Sequence, residues 1–139
     1  ALLAGGGADG GAEGGAAAQH AAELLRGLAF GHPGRQAEIV EAGGVSCLPL
    51  LLAPGGDPQM QEHAAALCWI LASGGSPGAA RAVADSGAIG PLIALLSAGE
   101  PEAQEHAAGA LRSLAACSAE GRAAVARCGP VGPLLALLA

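Results

Sequence analysis

Histidine is the most conspicuous reactive group in the sequence, because three of its four copies recur at a fixed interval. His20, His63 and His106 are spaced 43 residues apart, and the last two stand in identical Gln-Glu-His-Ala-Ala segments. Nitrogens that share one zinc ion lie only about 2.0 to 2.1 Å from it, whereas packed helices lie about 8 to 10 Å apart. The histidines therefore indicate one structural position that recurs in successive layers, and we expect no metal site.

Cysteine supplies the other reactive side chains, and none of the four stands in a Cys-x-x-Cys pair. Cys68 falls where the apolar pattern calls for a core leucine, so burial should keep its thiol reduced and inert. The sequence holds no Gly-x-Ser-x-Gly, His-Glu-x-x-His or P-loop motif, and it lacks lysine, which closes the Schiff-base and P-loop routes. We therefore expect no enzymatic activity and no cofactor.

Glycine offers one apparent binding motif near the start of the chain. Gly5, Gly7 and Gly10 match the Gly-x-Gly-x-x-Gly fingerprint of dinucleotide-binding proteins, which requires a strand before it and a helix after it. Here seven of the eleven residues from 5 to 15 are glycine, so low complexity explains the match. We expect a flexible loop over residues 5–15.

The charge balance narrows the classes of partner. Twelve acidic residues against six arginines give a net charge of −6, which removes the general attraction to phosphate that nucleic-acid binding needs. The longest apolar runs, residues 48–53 and 134–139, are far shorter than the roughly 20 residues of a membrane helix. We expect a cytoplasmic or nuclear protein with no nucleic-acid partner and no membrane insertion.

Helices are the elements that must position these residues. Strand-forming aromatic and β-branched residues are few, which excludes an all-β domain and favours helices packed through Ala and Leu. A second repeated block, at residues 41–45, 85–89 and 127–131, contains Gly43, Gly87 and Gly129, where a left-handed glycine would terminate a short helix. Apolar stripes at i, i+3 and i+7 then predict second helices directly after these glycines. The stripes consist of Val45, Leu48 and Leu52, of Ile89, Leu92 and Leu96, and of Val131, Leu134 and Leu138.

A third helix should follow in each repeat. Asp57-Pro58 and Glu100-Pro101 each place an acidic residue at the positive end of a helix and a proline at its first position. These helices should run to about Ser73 and Ala116, with Leu71 and Leu114 central in the core. The period of 42 to 44 residues therefore predicts a three-helix unit.

This unit resembles the armadillo repeat, through its glycine turn, its Val/Ile-x-x-Leu-x-x-Leu-Leu stripe and its Gln-Glu-His-Ala-Ala segment. The resemblance implies an all-α, right-handed α-solenoid whose third helices line a concave groove for extended peptides. It covers nearly the whole chain as one array. The array divides into a partial repeat at 1–31, full repeats at 32–75 and 76–117, and a partial repeat at 118–139.

Both ends of the sequence fall within a repeat. Residues 1–4 match the close of a second helix, and the chain stops at Ala139, where a third helix would follow. Solenoid repeats bury their apolar faces only against neighbours. We therefore expect a fragment of a longer array.

The candidate binding surface is the side of the third helix that faces away from the core. Arg26, Trp69 and Arg112 occupy one position in three successive repeats, which predicts a row of side chains able to bind an extended, acidic and hydrophobic segment. Neighbouring glutamates are an alternative partner for the arginines. Trp69 has two open interpretations, as a binding anchor or as a contact with the next layer. The candidate groove residues are Arg26, Trp69, Arg112, Glu62, Glu105 and Ser73.

The resemblance favours a protein-interaction scaffold that binds a peptide in this groove. The alternatives are a region that recruits substrates for a larger enzyme, such as a ubiquitin ligase, and a nuclear import adaptor. Import adaptors of the family carry a tryptophan and, four residues later, an asparagine on the third helix, so the residues found here make that role less favoured. The tryptophan position holds Glu23, Ala66 and Gly109, and the asparagine position holds Gly27, Ile70 and Ser113.

Overall fold

The computed structural model describes residues 11–139, and these residues contain nine helices and no strand. Two full three-helix units, residues 33–73 and 77–117, lie between a single third helix, residues 11–29, and a first and second helix, residues 119–138. The fold is therefore an all-α solenoid. The helices are α1 (Gly11–Ala29), α2 (Pro33–Glu41), α3 (Leu48–Leu52), α4 (Pro58–Ser73), α5 (Pro77–Asp85), α6 (Ile89–Ala98), α7 (Pro101–Cys117), α8 (Ala119–Arg127) and α9 (Val131–Leu138).

The predicted helix boundaries at the acidic-proline pairs are confirmed. The Oδ1 of Asp57 accepts a hydrogen bond from the Gln59 backbone N–H at 2.9 Å, which satisfies one of the free donors at the start of α4. Short first helices end at Gly43, Gly87 and Gly129, whose φ angles are +82°, +90° and +72°. Glycine is used there because a residue with a Cβ is strained in the left-handed region.

Two helices differ from the sequence-based prediction at their start. The helix α1 begins at Gly11, so residues 11–15 are helical and not part of the predicted loop; residues 5–10 lie outside the described part of the chain. The helix α3 begins at Leu48, three residues after the predicted start at Val45.

Proline explains the late start of α3. In α6, Pro91 is the third helical residue, where no intrahelical N–H donor is needed. In the first unit the proline is Pro49, and a helix that began at Val45 would need its N–H as a donor to the Val45 carbonyl. The chain instead turns, and the Leu48 N–H donates to the Val45 oxygen at 3.2 Å.

The core runs between the layers, and the most extensive packing joins the third helices α4 and α7. Leu71 and Leu114 lie at its centre with 0% and 1% exposure, as predicted. The first helices also bury apolar residues at equivalent repeat positions. They are Ile39, Val83 and Val125.

The apolar stripe of α9 shows how much of the burial depends on a neighbouring third helix. Leu96 of α6 is 2% exposed beneath α7, whereas the equivalent Leu138 of α9 is 83% exposed. On α1, Leu24 and Leu28 are likewise exposed, although their equivalents on α4 are buried. The same sequence position is therefore core or surface according to the layer it occupies.

Within residues 11–139, no single helix is both long enough and apolar enough to span a bilayer. The helical segments 78–85 and 89–98 are long enough and apolar enough only when they are taken together, and they are bent by 75° relative to each other.

Candidate functional site

The repeated Gln-Glu-His segment begins the site, and its glutamine has a structural task. The Gln61 Nε2 donates to the Ala53 carbonyl oxygen at 2.8 Å, and the Gln104 Nε2 donates to the Leu96 carbonyl oxygen at 3.0 Å. Both carbonyls lie near the end of a second helix, where the helix itself supplies no donor. The glutamine therefore joins each third helix to the second helix before it.

The glutamate and histidine of the segment contact the third helix of the preceding repeat. The Nη1 of Arg26, on α1, lies 3.3 Å from the His63 Nδ1 and 3.9 Å from the Glu62 Oε1. One repeat later, the Trp69 ring lies 5.7 Å from the His106 ring, centroid to centroid, at an angle of 47°. Arg26 and Trp69 occupy the same repeat position, so this position reaches towards the histidine of the following layer in both cases.

A glycine on α7 provides the space for the Trp69 indole. A Cβ built on Gly109 would lie 2.5 Å from the Cε2 of Trp69, so alanine does not fit there without a shift of the ring. Trp69 is half-buried. The indole therefore packs against the next layer on one side, as one of the two interpretations expected, and keeps part of its surface open.

His106 carries a buried polar atom in this arrangement. Its Nδ1 has no hydrogen-bond partner among the described residues. Desolvation lowers the pKa of His106, and the positive charge of Arg26 lowers it further, while Glu62, Glu105 and Glu102 act in the opposite direction. The imidazole beneath Trp69 is consequently neutral at pH 7.

The lowered pKa of His106 predicts that part of the stability is lost in acid. The unfolded chain binds a proton near the ordinary histidine pKa of about 6.5, whereas the folded chain binds it only at lower pH, so the unfolding free energy should fall as pH drops through 6.5. Urea unfolding between pH 7.5 and 5.5 measures this dependence. His106→Gln should flatten it and the exposed-site control His20→Gln should not; equal slopes for wild type and H106Q would contradict the assignment.

A cleft of about 300 Å³ opens beside Trp69 on the third-helix face. The chain contains one tryptophan, one phenylalanine and no tyrosine, and both of its aromatic side chains line this cleft. We refer to it as the aromatic cleft. Its lining residues are Arg26, Phe30, Ala66, Trp69, Ile70, Ser73 and His106.

The structure brings together only some of the residues that the sequence nominated. Arg26, Trp69 and Ser73 line the aromatic cleft, and Glu62 lies beside it through its contact with Arg26. Arg112 and Glu105 are exposed on α7 and do not line the cleft. The Ser73 hydroxyl donates to the Trp69 carbonyl oxygen at 2.6 Å, within its own helix.

Phe30, Ile70 and His106 are cleft residues that the sequence analysis did not assign to the site. One signal could have found Phe30, which follows Arg26 by four residues and so lies one helical turn further along the same face. Ile70 follows Trp69 directly, and adjacent residues on a helix do not share a face by the 3.6-residue period. Its contribution depends on how the layers stack.

The cysteines lie apart from this chemistry. Burial raises the pKa of the Cys68 thiol to about 12, and it also raises the pKa of Cys47. All four cysteines are free. Within residues 11–139 no three His, Cys, Asp or Glu side chains come together as metal ligands.

Comparison with known proteins agrees with this repeat geometry. Residues 76–116 match the family model of the armadillo/beta-catenin-like repeat. The chain therefore contains an armadillo repeat. No curated protein sequence matches it at a significant level.

Solved structures similar to this chain include two engineered proteins from a structural genomics programme. One is 29% identical with a TM-score of 0.84, over 99% of this chain and 54% of its own. The other is 32% identical with a TM-score of 0.84, over 99% and 53%. A designed armadillo repeat protein in complex with the peptide (KR)4 shares the fold at 24% identity and a TM-score of 0.83, over 99% and 55%. The chain thus spans about half the length of these proteins.

Proposed function

We propose that this armadillo chain is a protein-interaction scaffold, which binds an extended peptide segment across its third-helix face with the aromatic cleft as its centre. The observation that carries the proposal is the placement of Phe30, Trp69 and Arg26 around one opening. Tryptophan and arginine are among the residue types that dominate binding energy at protein interfaces, and aromatic residues in general are enriched there.

The exposure of these side chains supports binding over core packing. The described core consists mainly of Leu and Ala, while Phe30 is 72% exposed and Trp69 is half-buried. Full burial of a phenylalanine side chain is worth about 1.5 to 3 kcal/mol. Because Phe30 is mostly exposed, its burial contributes little of this free energy to folding. The same free energy is available when a partner covers the side chain.

The remaining nominated residues extend the same proposal. Arg112 and Glu105, on α7, would contact a ligand segment beyond the cleft, while Glu62 restrains Arg26 at its edge. The proposal assigns the chain binding and no catalysis, in the cytoplasm or nucleus. A role in recruiting substrates for a larger enzyme would use the same surface.

Peptide selection followed by mutation tests the proposal. Peptides of about ten residues are selected from a displayed library on the wild-type chain, and their affinities are then measured on the combined variant Arg26→Ala, Phe30→Ala and Trp69→Ala. The variant should lose most of the binding, at least about tenfold in Kd, because it removes both aromatic surfaces and the guanidinium.

The matched control replaces exposed side chains outside the cleft. Arg81→Ala combined with Arg122→Ala, on α5 and α8, should keep the wild-type affinities, and circular dichroism confirms that each variant is folded. If the folded cleft variant retains every selected peptide, binding lies on another face and the proposal is wrong.

A further inference from the structure

We propose that the aromatic cleft takes one apolar side chain of the ligand segment, with a carboxylate of a neighbouring ligand residue bound by Arg26. The inference rests on the proposed function and specifies its ligand. The expected recognition element is a leucine-sized or aromatic residue flanked by aspartate or glutamate.

The shape and lining of the cleft define the apolar part of this element. Phe30, which directly follows α1, and Trp69 and Ile70 on α4 supply its walls, and Ala66 adds a methyl group. Because Phe30 and Trp69 belong to different layers, a side chain inserted here would contact two repeats at once. An apolar side chain gains burial against all of these surfaces without leaving a polar group unsatisfied.

The polar part is defined by the unused donors of Arg26. Its guanidinium carries five N–H donors and is about one-third exposed. Its contact with His63 is 3.3 Å and its contact with Glu62 is 3.9 Å, and the second distance is too long for a hydrogen bond. Donors therefore remain for a ligand carboxylate, which arginine binds in a forked geometry.

The charges around the cleft decide between an acidic and a basic ligand. Arg26 is the only permanently charged side chain among the residues that line the cleft. Glu62 contacts Arg26 but does not line the cleft. A lysine or arginine entering the cleft would meet this like charge, whereas a ligand carboxylate would meet the guanidinium, so the lining favours an acidic ligand even though the whole chain is acidic.

The intrinsic fluorescence of the protein provides a direct readout at the site, since Trp69 is its only tryptophan and it has no tyrosine. The probes are three blocked pentapeptides without aromatic residues: Gly-Glu-Leu-Glu-Gly, Gly-Lys-Leu-Lys-Gly and Gly-Glu-Ala-Glu-Gly. Only the first should give a saturable change in Trp69 emission. Raising the salt concentration should weaken its binding, because the guanidinium–carboxylate contact is partly exposed.

Matched variants assign the carboxylate contact to Arg26. Arg26→Gln should weaken binding of the glutamate-leucine peptide about tenfold, whereas Arg122→Gln, exposed on α8 and outside the cleft lining, should leave the affinity unchanged. Loss of binding in both variants to the same degree would overturn the assignment, because it would reflect net charge alone.

The other outcomes separate this inference from the proposed function. If the lysine-leucine peptide binds the cleft as well as or better than the glutamate-leucine peptide, the ligand chemistry is wrong while the cleft remains the binding site. If none of the three pentapeptides changes Trp69 emission, the inference is wrong, and the library-selected peptides then decide the proposed function independently.

Discussion

Replacing Leu71 by alanine is expected to lower the unfolding free energy by about 2 to 5 kcal/mol. Leu71 is completely buried on α4, within the core cluster that joins the layers. Alanine would leave a cavity in a helix that packs against its neighbours on several sides, so collapse of the site is restricted. Since a domain of this kind has only about 5 to 15 kcal/mol of total stability, the variant is expected to lose a large part of it. Urea unfolding followed by circular dichroism measures the change.

Leu50→Ala is the matched control for this prediction. Leu50 is 71% exposed on α3, and its truncation should change the unfolding free energy by less than about 0.5 kcal/mol. Equal losses in the two variants, or an unchanged midpoint for L71A, would show that the core does not centre on this layer.

Gly109→Ala is expected to displace the Trp69 indole and to weaken peptide binding about tenfold or more. A Cβ at this position would lie 2.5 Å from Cε2 and 2.7 Å from Cδ2 of the indole, which is closer than packed carbon atoms approach. Alanine is favoured over glycine in a helix by about 0.8 to 1.0 kcal/mol, so α7 itself should persist. The emission maximum of Trp69 should move to longer wavelength as the ring becomes exposed to water.

Gly27→Ala separates this packing effect from helix propensity. Gly27 lies in α1, and a Cβ there would have no neighbouring atom within 4 Å. This variant should keep the Trp69 spectrum and peptide affinity of the wild type, with a gain in stability of about 0.5 to 1 kcal/mol. An unshifted Trp69 spectrum in the Gly109 variant would mean that the indole does not rest against α7.

Much of the fold could be predicted because its determinants are local and repeated. The 43-residue spacing of His63 and His106 defined the unit, the acidic-proline pairs placed the starts of α4 and α7, and Gly43, Gly87 and Gly129 placed the ends of the first helices. Each signal acts within one or two turns of chain and therefore reads directly from the sequence. The start of α3 was predicted wrongly because its proline stands two residues later in the repeat than the proline of α6. Pro91 lacks an N–H that the first turn of α6 does not need, whereas Pro49 lacks an N–H that a helix beginning at Val45 would need.

The site was predicted less completely. The position shared by Arg26, Trp69 and Arg112 was recognised from spacing alone, and two of these residues do line the aromatic cleft. The third does not, because α7 contributes only His106 to the lining, and Arg112 lies six residues further along that helix. Phe30 and His106 joined the site through contacts between layers, which the helical period within one repeat does not describe.

The sequence by itself determined the repeat, its three helices and the residues that face the core, since these follow from hydrophobic periodicity and from the conformational limits of glycine and proline. The tertiary structure decided which exposed side chains share a surface. Phe30 and Trp69 are separated by 39 residues, and only the offset between stacked layers brings them to one cleft with Arg26. The tertiary structure also decided that Leu96 is buried and Leu138 is exposed. Both leucines belong to the same apolar stripe, but only the stripe of α6 is covered by a third helix, so burial depends on the neighbouring layer.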